Sequence, residues 1–427
     1  VLPTAWRDKT QKLIRFSSLQ VLIHGVMALC GFLIVRALNK PEYAAYTIAA
    51  SLQTLLSALT DCGIGAGLTA VGGRIWNDSA RLRGLVHIGL RLRMRLALLA
   101  IPLVIVSALY LLRRNEIPWT ETVELITAVL LTTAGIFLTA IYAAPLRLHA
   151  LYTAVQKIDL LAACLRFALV ALLAAVFLNA LTAILATAAT VTLQGVLLRK
   201  KTEAVLGEAA REDDSDEKSL IGLMKKQALS TVFFAYQAQI TIWLISVFGS
   251  RDKVADVGAL TRLAILFTLM GSILTGIVAP TFARCESLGR LGRLFALTVV
   301  CYLGFSGALL AGSLLWPQSM LWVLGGQYQS LTTEVPWLVA NAVTAGLSGV
   351  FYTLILARGW VWQAWLVPVV TILTQASVIP LLDLNAVRGV LIFGWVSALP
   401  TLAVSIYMVG RGLFQSWRGN RLAGVVG

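Results

Sequence analysis

The chain has 427 residues, 58% of them hydrophobic and 13% charged, with a mean hydropathy of +0.83. So much apolar side chain excludes a soluble globule and reads as a polytopic membrane protein. The net charge of +15 would suggest nucleic acid in a soluble chain, but here the basic residues punctuate apolar runs. That pattern reads as membrane topology plus an anionic partner, with no nucleic acid.

In chain order, the first residues, VLPTAWRDKTQKLIRF, are polar and basic and carry no signal-peptide pattern. Twelve runs then reach the roughly 20 apolar residues that a spanning helix needs. They are Ser17–Leu38, Tyr43–Val71, Leu96–Leu112, Val123–Pro145, Ile158–Leu178, Leu181–Leu198, Ala228–Phe248, Val257–Ala279, Leu294–Leu315, Val335–Leu356, Ala364–Leu382 and Val390–Val409. The third is short as drawn, and its helix is expected to begin earlier, inside RLRGLVHIGLRLRMR. The fold expected is all-α, with twelve transmembrane helices.

Placing the N-terminus inside and alternating puts 26 Lys and Arg in cytoplasmic segments and six outside, with Arg36, Arg166 and Arg262 within spans. The skew obeys the positive-inside rule and predicts both termini in the cytoplasm. The longest polar stretch, Arg199–Lys226, lies between the sixth and seventh spans and holds seven basic and seven acidic residues. It reads as a solvated cytoplasmic linker. The domain reading is therefore an N-terminal lobe over 1–198, the linker over 199–226 and a C-terminal lobe over 227–427. Sliding the second half by 211 positions aligns KPEYAAY (Lys40–Tyr46) with RDKVADV (Arg251–Val257), and Arg147 with Arg358. Six spans per half gives both lobes one orientation, with a substrate site expected between them near the midplane.

VRALNKPEYAAYTIAASLQTLLSALTDCGIGAGL (Val35–Leu68) resembles the opening of Wzx-type polysaccharide flippases, and VFGSRDKVADVGALTRL, IVAPTFAR and LWVLGGQYQSL resemble their later helix ends. LGGQY and AYQAQI depart from the usual pattern. The resemblance implies the multidrug/oligosaccharidyl-lipid/polysaccharide (MOP) exporter fold, two six-helix lobes around a central cavity, working by alternating access. It implies a cargo of sugar repeat units on undecaprenyl pyrophosphate, flipped across a bacterial inner membrane for O-antigen, capsule or exopolysaccharide synthesis. Membrane lipids, a glycan polymerase and other assembly proteins are the partners it suggests.

Arg166 stands eight residues into the fifth span, about 12 Å deep, too far for easy snorkelling. It reads either as a cavity charge for a phosphate or as the partner of Asp159, two turns back. Arg262 and Arg36 are nearer their span ends and read as cavity charges or interface anchors. Asp61, before Gly63, Gly65 and Gly67, is a candidate proton- or ion-coupling group; its alternative role is to satisfy backbone freed by the glycines. Gln237, Gln239, Gln53, Asn341 and Gln375 are candidate sugar contacts or interhelical hydrogen-bonding groups. Gln237 and Gln239 alternate and cannot share one helix face. The basic run from Arg81 to Arg95 is a candidate for anionic headgroups. Cys30, Cys62, Cys164, Cys285 and Cys301 show no metal or disulfide spacing, the three histidines are scattered, and no nucleotide-binding or nucleophile motif occurs. No catalytic residue, metal or cofactor is expected, coupling to H⁺ or Na⁺ being the open possibility.

Three functions compete: the lipid-linked glycan flippase, a MATE-like ion-coupled exporter of small molecules, and a membrane glycan polymerase or ligase. A cationic cargo calls for acids in the spans, whereas three arginines lie there against few acids. An enzyme acting on sugars calls for a large outside loop, and the one long loop is cytoplasmic. The flippase reading is preferred, and the chain is read as no enzyme.

Overall fold

The structure, a computed structural model, describes residues 4–265, 267, 270–271, 282, 288–358 and 365–423. Among them every regular element is a helix. The chain divides into two compact units, Val1–Ala255 and Asp256–Gly427.

The first unit holds α1 (Thr4–Ala37), α2 (Lys40–Asp61), α3 (Ile64–Ile75), α4 (Ser79–Arg114), α5 (Trp119–Leu148), α6 (Tyr152–Val176), α7 (Ala180–Leu206) and α8 (Asp214–Phe248), with the start of α9 (Arg251–Thr261). The second holds α10 (Leu288–Leu315), α11 (Pro317–Trp322), α12 (Val335–Arg358), α13 (Leu366–Val378) and α14 (Val387–Ala423). The first unit thus reaches past the 199–226 segment to take in α8, which packs on α2, α3 and α4.

Ten described helical stretches are long and apolar enough to cross a membrane. The eleventh expected span is a shorter apolar stretch, Leu366–Leu381, and the eighth, Val257–Ala279, lies partly outside the described residues, which cover it only over 257–265 and at 267, 270 and 271. The third span's helix begins earlier than drawn, as expected, but at Ser79, two residues before the arginine-rich run rather than inside it. The repeat reaches the helix boundaries. α1 ends at Ala37 and α8 at Phe248, while α2 starts at Lys40 and α9 at Arg251, each pair 211 positions apart.

Local chemistry sets these ends. Asn39 accepts the Glu42 N–H at 2.9 Å with Pro41 in the first turn of α2, and Asp78 accepts the Arg81 N–H at 3.0 Å. Asn179 and Thr182 form a reciprocal capping box at the start of α7. Within the helices, Thr132, Thr133, Thr187 and Thr190 are buried and donate their hydroxyls to carbonyls one turn back. These polar side chains thereby need no water, as a membrane interior requires.

α5 and α7 pack closely because glycines face each other. A Cβ on Gly135 would lie 2.8 Å from the backbone nitrogen of Thr192, and one on Gly195 would lie 2.6 Å from Leu138 Cβ. Thr202 closes the same seam by donating to Tyr142 O at 2.8 Å. Small residues let membrane helices approach this way. Gly135→Leu is therefore expected to lower the melting temperature of the detergent-solubilised protein, by overpacking worth about 1–3 kcal/mol. An unchanged melting temperature would show that the seam can open at no cost.

The second unit has its own core of Phe282, Tyr302, Phe351, Leu354 and Ile355. Tyr302 donates its hydroxyl to Val343 O at 3.1 Å, and Trp395 Nε1 donates to Thr344 Oγ1 at 3.2 Å between α14 and α12.

Candidate functional site

The residues of KPEYAAY tie one end of the first unit together. Glu42 Oε2 accepts the N–H of Ala180, the first residue of α7, at 2.8 Å. Tyr43 and Tyr46 are buried with their rings stacked 5.8 Å apart. Arg251, where α9 begins, donates Nε to Pro41 O at 3.1 Å. The motif that carries the sequence resemblance is, in this fold, a structural knot.

Asp61 does not stand within one continuous span. It ends α2, and Cys62 (φ 37°) and Gly63 (φ 85°) turn the chain through the left-handed region into α3. Glycine is favoured at 63 by that positive φ, and a Cβ there would also crowd the Gln227 side chain, 3.1 Å from its Cβ. Asp61 Oδ1 accepts the Gly65 N–H at 3.3 Å, satisfying an open donor of α3, and accepts Nη2 of Arg93. Arg93 is 3% exposed, its guanidinium lies 5.4 Å from the Phe137 ring centroid, and its Nε and Nη1 have no hydrogen-bond partner. Sequence reasoning named Asp61 and missed Arg93, whose place in RLRMR reads as interface charge.

The segment read as a solvated linker is largely helical and docked. Only 207–213 lies outside α7 and α8. Arg81 of α4 grips Asp216 with two hydrogen bonds of 2.6 and 2.9 Å and lies 3.2 Å from Asp213. Arg91 pairs with Glu212 at 2.6 Å, and Arg95 lies 3.8 Å from Glu217. The backbone joins in: Arg211 N donates to Ala80 O at 2.9 Å, and Arg83 donates to Gly207 O. Asp213 caps α8 by accepting the Ser215 N–H and hydroxyl, at 2.8 and 2.6 Å. Those two bonds, with Arg81 and Arg211 nearby, hold its carboxyl below the usual carboxylate range. Of the arginines proposed for lipid headgroups, Arg81, Arg91 and Arg95 are thus engaged by acids of the 199–226 segment, while Arg83 meets the Gly207 carbonyl and Arg93 meets Asp61.

Arg166, in α6, is half-buried, and its Nε is buried without a hydrogen-bond partner. Asp159 is not its partner, because Asp159 Oδ1 accepts Gln194 Nε2 of α7 at 2.7 Å. Arg36 lies exposed in the last turn of α1. Gln53 and Gln237 are half-buried and Gln239 is 8% exposed, so the alternating glutamines differ in environment as their spacing requires. Near them Trp243 Nε1 of α8 donates to Ser51 Oγ of α2 at 3.1 Å. In the second unit Arg262 occupies the 3-10 turn after α9, and Asn341 and Gln375 are half-buried in α12 and α13. A polar trio not anticipated joins α1 to α6: Gln156 Nε2 donates to Gln20 Oε1 at 3.3 Å, and Gln20 Nε2 lies 3.2 Å from His24 Nε2.

No protein-family model and no curated protein matches the chain. Solved structures do. An inward-facing multidrug resistance MATE family transporter of the MOP superfamily matches with a TM-score of 0.73 at 13% identity, over 92% of this chain and 96% of that one. An outward-facing form matches with a TM-score of 0.66 at 14% identity, over 95% and 96%. A MOP superfamily transporter from Pyrococcus furiosus, described as having a binding pocket of reverse polarity that suggests a different function, matches with a TM-score of 0.63 at 13% identity, over 95% of each chain. The chain has the fold of MOP superfamily transporters.

Proposed function

We propose that this chain is a membrane transporter that works by alternating access on an anionic cargo. Transport is supported by the fold, which is shared with transporters described in both inward- and outward-facing forms. The anionic cargo rests on one observation. The acids Asp61 and Asp159 of the first unit are engaged by Arg93 and Gln194, whereas Arg166 has a buried Nε with no partner and forms no ion pair among the described residues. Glu121 Oε1, in the first turn of α5, is buried without a hydrogen-bond partner, so the acids of the unit are not all claimed; the two deeper in the helices are, and there an anion has a guanidinium to meet.

The resemblance of Val35–Leu68 to polysaccharide flippases specifies that anion as a pyrophosphate-linked oligosaccharide in a bacterial inner membrane. The 26-to-6 charge skew supports cytoplasmic termini and a cytoplasmic 199–226 segment. A second reading, export of small molecules in the MATE manner, is favoured by the structural neighbours, two of which are described as multidrug resistance transporters. One paired experiment separates them. The chain is expressed in a flippase-deficient strain, scored for surface polysaccharide, and in an efflux-deficient strain, scored for drug susceptibility. Restored polysaccharide with unchanged susceptibility is expected. Drug resistance without polysaccharide would establish the exporter reading instead.

A further inference from the structure

A cavity of about 540 Å³ opens where the turn between α5 and α6 meets the end of α7. Its lining is Ala150, Leu151, Thr153, Ala154, Lys157, Ile158 and Lys201, so it is an apolar groove with two cations and a hydroxyl. The volume is in the range of small-ligand sites. Arg81, Arg91, Arg93 and Arg95 at this end of the unit are engaged by acids and Arg199 by Glu203 at 2.8 Å, whereas Arg147 and Lys200 form no ion pair among the described residues but do not line the groove. Lys157 and Lys201 form no ion pair among the described residues.

Helical spacing says what lies below them. On α6, Leu161 follows Lys157 by one turn and is 53% exposed. On α7, Leu197 and Leu193 precede Lys201 by one and two turns, and Leu193 is 38% exposed. Residues four apart share a helix face. Two adjacent helices thus each carry an unpaired lysine at the head of a leucine stripe, and both stripes belong to segments apolar enough to span a membrane. Thr153, one turn before Lys157, adds a hydroxyl donor to the same rim.

We propose that this groove binds an anionic phospholipid of the surrounding membrane. Its phosphodiester lies between Lys157 and Lys201, and its acyl chains run along the Leu161 and Leu193 stripes. A basic pocket between helix ends is a recognised arrangement for such headgroups. A zwitterionic lipid brings no net charge to the two lysines and is the discriminating comparison.

The test is native mass spectrometry of the full chain in detergent, titrated with dioleoyl phosphatidylglycerol or dioleoyl phosphatidylcholine. Phosphatidylglycerol is expected to bind the intact chain more tightly. Lys157→Ala/Lys201→Ala is expected to weaken that binding about thirtyfold, as follows from two headgroup-facing lysines. Lys157→Arg/Lys201→Arg should retain it, as should Lys225→Ala/Lys226→Ala, which removes two exposed lysines that do not line the groove. Equal binding of the two lipids, or unchanged phosphatidylglycerol binding in Lys157→Ala/Lys201→Ala, would overturn the proposal. A loss of equal size in the Lys225→Ala/Lys226→Ala control would overturn it too, by showing attraction to overall charge rather than to this groove.

Discussion

Asp61→Ala is expected to destabilise the protein more than Arg93→Leu, although the two residues form one ion pair. The asymmetry comes from burial. The Arg93 side chain is 4% exposed and that of Asp61 is 31% exposed. Removing Asp61 strands a guanidinium whose Nε and Nη1 already lack partners, leaving it the face of Phe137 and little else. Breaking a buried pair in that sense costs about 3–5 kcal/mol. Removing Arg93 instead leaves a carboxylate that is only partly buried and still accepts the Gly65 N–H, so the loss should be nearer 1–2 kcal/mol. The double variant Asp61→Ala/Arg93→Leu should recover most of what Asp61→Ala loses, because the stranded charge is gone. Thermal unfolding of the four proteins in one detergent measures this cycle. An Arg93→Leu loss equal to or above that of Asp61→Ala would mean that the buried guanidinium is not the dominant liability. Asp61→Asn adds a functional arm, since an amide keeps an acceptor for Gly65 and Arg93 but removes the charge. If Asp61 couples transport to an ion, that variant loses gradient-driven transport. Normal transport would confine Asp61 to holding the α2–α3 break.

That pair also marks where sequence reading stops. Apolar runs and capping residues locate helices because both act within a few positions of one another. Asn39 and Asn179 fall in the gaps between expected spans, Asp78 caps a helix that starts earlier than expected, and the 211-position offset reappears in the ends of α1, α2, α8 and α9. The break at Cys62–Gly63 was less legible, since Gly63, Gly65 and Gly67 equally suit an unbroken, closely packed helix. Arg91, Arg93 and Arg95 alternate in the sequence, which spreads their charge around the helix. That alternation could not say that Arg91 turns to Glu212 and Arg93 inward to Asp61, partners 121 and 32 positions away. The 199–226 segment fails for the same reason. Seven charges of each sign look self-neutral, yet Asp216 is neutralised by Arg81, 135 positions away. Arg166 was visible as a charge in an apolar run, but the choice of Gln194 by Asp159 was not.

Arg166→Ala is expected to abolish transport at normal protein level, and Arg166→Glu likewise, while Arg166→Lys retains part of it. An arginine at the centre of a spanning helix costs about 2.5–3.5 kcal/mol to insert, so something must offset it. The nearest sequence candidate, Asp159, is hydrogen-bonded to Gln194 instead, and Arg166 forms no ion pair among the described residues. An internal salt bridge therefore does not explain the residue. A cargo phosphate would: one ion pair at 4 Å is worth about 4 kcal/mol at an effective dielectric of 20, comparable with the insertion cost. A guanidinium offers a planar, bidentate fork to phosphate oxygens, and an ammonium offers only a point charge, which is why lysine should rescue in part. A purely packing role predicts a different order. Arg166→Ala would then unload a buried polar atom, stabilise the protein and leave transport intact. The measurement is complementation of a flippase-deficient strain, with protein level by blot and melting temperature of each purified variant. Full complementation by Arg166→Ala at normal level would make the arginine structural, and the anionic-cargo reading would lose the observation on which it stands.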